Sequence, residues 1–153
     1  MQPDALEPII ADAVAKADFA ALFAVEEGVS WVAAAADETA LALEWNADAR
    51  RLVLSADIAP LGEETDAALL RLLLGYNGNW RETGGLRIAL DRGDVAQLVL
   101  DLPSDTLDAS WLAAVLTGFA EALNSWREAL ASPQAASRPA PAVPESFRIA
   151  WRV

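Results

Sequence analysis

One stretch, residues 69–91, limits the possible folds of this chain more than any other. Leu69, Leu70, Leu72, Leu73, Leu74 and Tyr76 go nearly all the way round a helix. A helix that is apolar all round needs cover on more than one side. In a small domain a sheet covers one side, and a second subunit is the natural cover for the other. Leu69, Leu70, Leu73, Leu74 and Tyr76 are therefore the expected dimer seam. Gly75-Tyr76-Asn77-Gly78-Asn79 reads as the turn that ends the helix. Thr83-Gly84-Gly85 then opens a strand in which Leu86, Ile88 and Leu90 alternate with Arg87 and Ala89.

The flanking chain predicts one α+β domain around that stretch. Residues 4–23 read as an amphipathic helix. Leu6, Ile9, Ile10, Ala13, Val14 and Ala17 share one face, Phe19, Leu22 and Phe23 extend it, and Asp4 with Glu7 approximates a capping box. That face either packs on a sheet or lines a groove. Three short strands follow at 29–36, 39–45 and 50–58, with tight connections that predict an antiparallel meander. Trp31 and Trp45 fit either core or exposed platform. Glu63, Glu64 and Asp66 open the central helix, where acids suit the helix dipole. After the alternating strand, a turn at 91–94 leads to a fifth strand at 95–102, which Pro103 ends. A last helix over 107–130, capped by Asp105, carries Leu112, Val115, Leu116, Phe119, Leu123, Trp126 and Leu130 on one face. The order is α-β-β-β-α-β-β-α, a mainly antiparallel twisted sheet packed by helices and dimeric through the middle helix. Residues 1–130 form this domain. Residues 131–153 form a Pro- and Ala-rich linker and a strand-like tail, in which Phe147, Ile149, Trp151 and Val153 alternate with Arg148, Ala150 and Arg152.

Composition narrows the function. The 153 residues carry a net charge of −12, which argues against binding nucleic acid or an anionic membrane face. There is no cysteine and no histidine, so disulfides, thiolate chemistry and the commonest general base and transition-metal ligand are all missing. No run approaches the roughly 18 apolar residues of a membrane span, and the N-terminus has no signal-peptide pattern. A carboxylate pair such as Glu63 with Glu64, or Asp101 with Asp105, is the best case for an enzyme. Without a histidine, a cysteine or a phosphate loop it is a poor one. No catalytic residue, metal site or cofactor is expected. Of the 54% hydrophobic residues, 34 are alanine, so few large side chains build the core.

The Leu72-Leu73 helix, Asn77, Thr83-Gly84-Gly85 and the strand from Leu86 to Asp91 stand in the order found in class I type III secretion chaperones, the Tir-chaperone or CesT-like family, which this chain resembles. The last helix, with Phe119 and Trp126 ahead of Arg127, is similar to that family's final helix. The resemblance covers about residues 4–130. The alanine-heavy first strand and the Pro-rich tail depart from the pattern. It implies a homodimeric, bacterial cytoplasmic chaperone that uses no ATP. Such a protein binds the extended N-terminal segment of a secreted effector, keeps it soluble, and presents it to the secretion apparatus, whose ATPase is a further candidate partner. A small regulatory dimer of the YbjN-like type, binding a folded partner, is the alternative.

An extended peptide needs pockets for alternate side chains and often an open sheet edge. The expected grooves lie beside the first helix and use Leu6, Ile10, Val14 and Phe23 with Trp31, Leu41 and Leu43. The tail is expected to fill the groove when no effector is bound, or to clasp the other subunit.

Overall fold

The computed structural model describes residues 3–37, 39–62 and 65–150, the side chains of 3, 4, 149 and 150 excepted. Helix α1 (Pro3–Lys16) is followed by four strands, β1 (Ala21–Glu26), β2 (Ser30–Ala34), β3 (Ala40–Asn46) and β4 (Arg51–Pro60). Helix α2 (Ala67–Gly78), strands β5 (Arg87–Leu90) and β6 (Val95–Pro103), the long α3 (Ala109–Ala131) and the short α4 (Glu145–Ala150) complete the order. The strands form one six-stranded sheet, β1-β2-β3-β4-β6-β5, with antiparallel neighbours throughout.

Side chains alternate across the sheet, as a pleated strand requires. One face carries Trp31, Leu41, Leu43, Trp45, Leu52, Leu54, Leu98, Leu100 and Leu102. All are buried in one cluster with Leu6, Ile10, Ala13 and Val14 of α1 and the Leu112–Trp126 stripe of α3. The opposite face carries a cross-strand row, Phe23, Val32, Ala42, Ser55, Val99 and Arg87, whose members are half-buried or exposed.

Three expectations need correction. The first helix does not reach residue 23. It ends at Lys16, Asp18 turns the chain with φ 62, and residues 21–26 form β1, an additional strand. Phe19, Leu22 and Phe23 continue the helical spacing by coincidence, while pairing of residues 21–26 with β2 satisfies the backbone in the sheet. The last helix is capped by Asp108, which accepts from the N–H groups of Ser110 and Trp111. Asp105 instead faces Arg50.

The third correction concerns the tail. Over Glu145–Ala150 the chain is a helix, not a strand, and residues 151–153 lie outside the described set. The preceding linker also packs. Ala135 is buried, Ala140 and Val143 lie against the core, and Phe147 is fully buried in it. Gly118 explains the docking. A Cβ there would stand 2.7 Å from both Cα and Cβ of Phe147, so α4 rests its backbone directly on α3. Only a glycine leaves room for that approach.

Candidate functional site

The predicted groove residues meet, but inside the protomer. Leu6, Ile10, Val14, Trp31, Leu41 and Leu43 are all buried, because the apolar stripe of α1 closes over the buried face of the sheet. Trp31 Nε1 has no hydrogen-bond partner among the described residues. Phe23 alone is open, 58% exposed on β1, and its neighbour Val25 is 70% exposed. A register irregularity between Ala24 and Glu26 leaves Val25 without a cross-strand partner. β1 is an edge strand, so its outer N–H and C=O groups have no ladder partner in the sheet.

The other edge is treated differently. Asn77 Nδ2 donates to Ile88 O at 2.9 Å, and Ile88 N donates to Asn77 Oδ1 at 2.7 Å. One side-chain amide thus stands in for a neighbouring strand on the outer side of β5. Reading Asn77 as a turn residue missed this role. It sits within α2, which runs on to Gly78. The turn into β5 is held by Thr83, whose hydroxyl donates to Leu86 O at 3.0 Å. Gly84 and Gly85 adopt φ values of 64 and 87, which suit glycine at the strand entry.

The expected seam on α2 divides by face. Asp66 caps the helix by accepting from Ala68 N, while Glu63 and Glu64 lie outside the described residues. Leu73 and Tyr76 point inward, and the Tyr76 ring meets Trp126 of α3 edge-on at 4.9 Å. Burial pushes the Tyr76 hydroxyl pKa up, partly offset by a hydrogen bond with Trp126. Leu69 is half-buried. Leu70 at 38% and Leu74 at 69% exposure point outward, and Trp80 and Leu90 in the following segment are also exposed. The adjoining Arg127 donates through Nη2 to Asp57 O at 2.8 Å, tying α3 to the irregular stretch of β4.

The second candidate carboxylate pair, Asp101 with Asp105, is described, whereas Glu63 and Glu64 are not. Asp101 faces Arg87 at 3.0 Å and Arg51 at 3.5 Å, and Asp105 faces Arg50 at 3.2 Å, so this carboxylate pair is held in separate ion pairs. Among the described residues no group of three or more acidic side chains could hold a metal ion. No described helix is long and apolar enough to cross a membrane.

The fold has solved relatives. It is similar to a chain in the ExsC–ExsE complex, with a TM-score of 0.68 and 19% identity over 84% of this chain and 96% of that one. It is similar to a chain in the HopA1–SchA chaperone–effector complex, with a TM-score of 0.65 and 18% identity over 80% and 93%. The Yersinia pestis type III secretion chaperone SycH, in complex with a fragment of YscM2, gives a TM-score of 0.59 and 18% identity over 78% and 97%. Likeness at this identity concerns the fold. Among curated proteins no sequence matches significantly. Residues 8–127, from within α1 to near the end of α3, match the family model described as the Tir chaperone protein (CesT) family. The chain therefore belongs to the Tir chaperone protein family.

Proposed function

We propose that this protein is a type III secretion chaperone that binds the extended N-terminal segment of a secreted effector as an added strand on β1. The observation that carries the reading is the contrast between the two sheet edges. β5 is clasped at Ile88 by Asn77, whereas the outer side of β1 has no neighbouring strand among the described residues, and the strand carries exposed Phe23 and Val25. A strand laid on β1 gains backbone hydrogen bonds, each of about 0.5–1.5 kcal/mol net. Phe23 and Val25 supply apolar contact for alternate client side chains. The other six groove residues act from below, by fixing the sheet on which β1 rests.

A homodimer through the outward side of α2, with Leu70 and Leu74 at its centre, would carry two such edges. No nucleotide enters this scheme, because strand addition draws on binding free energy alone. The bacterial cytoplasm is where such a client is made, and the ATPase of the secretion apparatus is the partner to which it would be delivered. Residues 1–130 would serve as the chaperone unit and 131–153 as an appended segment.

The test is co-purification of the native effector with Phe23→Asp and Val25→Asp variants. Loss of the effector from variants that keep the wild-type melting temperature supports the edge. Undiminished capture by both variants refutes it.

A further inference from the structure

A second surface lies on the opposite side of the fold from β1, where the appended segment meets the turn after α2. A groove of about 600 Å³ opens there. One wall is Asn79, Arg81, Glu82, Thr83 and Gly84, and the other is Ala140, Val143, Phe147 and Arg148, with Tyr76 among the remaining lining residues. The second wall lies wholly outside the 8–127 stretch that matches the family. This groove thus forms where the appended segment meets the shared core.

Its charge runs against that of the molecule. The chain has a net charge of −12, yet two arginines and a single acid line this groove. Neither Arg81 nor Arg148 is in an ion pair among the described residues, as is also true of Arg71, Arg92, Arg127 and Arg138. Arg81 lies 5.0 Å from the centre of the Trp80 ring, a contact that leaves the guanidinium N–H groups available. The N–H of Gly84, at φ 64, donates to no acceptor among the described residues. Two guanidinium groups and a free amide are carboxylate donors. Ala140 and Val143, both half-buried, add an apolar wall beside them.

We infer that the groove between residues 79–84 and the appended segment binds a short acidic peptide, with carboxylates on Arg81, Arg148 and the Gly84 amide and an apolar side chain against Ala140 and Val143. This site is separate from the β1 edge and does not depend on how the client is held there.

The test uses the full chain and two fluorescein-labelled dodecapeptides, one alternating glutamate and leucine, the other lysine and leucine. Anisotropy should show saturable binding of the glutamate peptide only. Binding should weaken about tenfold in Arg81→Ala and in Arg148→Ala, the loss of one charge-assisted hydrogen bond each. It should also weaken as salt shortens the screening length to a few ångströms. In amide NMR spectra Gly84 should shift on titration while Phe23 and Val25 do not. Arg81 and Arg148 are exposed, so both variants should melt as wild type does. Equal binding of the two peptides, affinity unchanged in both arginine variants, or shifts centred on β1 would each overturn the assignment.

Discussion

Replacing Gly118 with alanine should destabilise the whole chain although it improves a helix. Alanine in place of glycine inside a helix contributes about 0.8–1.0 kcal/mol in favour of folding. Here the added methyl would stand 2.7 Å from backbone and Cβ atoms of Phe147, a distance real Cβ contacts do not reach. The neighbour is backbone, so a rotamer change cannot relieve the clash and α4 must lift off α3. Undocking returns Phe147 to water at a cost of about 1.5–3 kcal/mol. It also breaks the hydrogen bond from Ser146 to Glu121, at about 0.5–1.5 kcal/mol. The net loss is about 1–4 kcal/mol, which lowers the melting temperature by roughly 3–12 °C for a domain of this size. Urea denaturation followed by tryptophan fluorescence measures it. The same substitution in a chain truncated after Ala131 has no α4 to strike and should stabilise by about 1 kcal/mol. Stabilisation by Gly118→Ala in the full chain would refute the account of how the tail docks.

Other perturbations separate surface from core. Leu74→Glu should convert a sedimenting dimer to a folded monomer, because Leu74 is 69% exposed, whereas Leu73→Glu should unfold the protomer, because Leu73 is buried. Asn77→Ala removes both side-chain partners of the Ile88 backbone and should cost about 1–3 kcal/mol in urea denaturation. Ile10→Asp places a carboxylate in the core and should abolish folding, unlike Phe23→Asp, with circular dichroism as the readout. Tyr76 is the only tyrosine, so absorbance near 295 nm reports its titration alone. Its folded pKa is raised by burial, so the unfolded chain loses the proton first as pH rises through about 10, and stability falls there. Tyr76→Phe should remove that part of the high-pH slope.

The elements with strong periodicity were legible in the sequence. The stripe on α3, the alternation in β3 and β4, and the order of the last two strands were read from residues such as Leu41, Leu43, Leu52, Leu54, Leu98 and Leu100. The all-round apolar α2 was read as needing a sheet on one side and a second subunit on the other. Contacts with α3 through Trp126 and with the packed segment near Ala135 were not legible, because they come from distant parts of the chain. Phe19, Leu22 and Phe23 misled because spacings of three and four residues also occur across a turn into a strand. The tail misled in the opposite sense, since seven residues of alternation, Phe147 to Val153, are too few to outweigh a glycine notch 29 positions away in the chain, between Gly118 and Phe147. The site residues were chosen for apolar character, a criterion that also selects the core. Exposure was the property needed, and single-sequence patterns report it only through the company a residue keeps in the fold. Asn77 was visible as a motif residue, but its partner, the backbone of Ile88, has no signature in side-chain identity.

An unfolded segment of another protein lying along β1 should be shielded there from proteases. Limited proteolysis of the complex purified from its native host should leave a protected effector fragment of a few tens of residues, held on a dimer, that has no secondary structure of its own once released. A protease-resistant partner that stays folded after release, or protection that persists in Phe23→Asp, would contradict this placement.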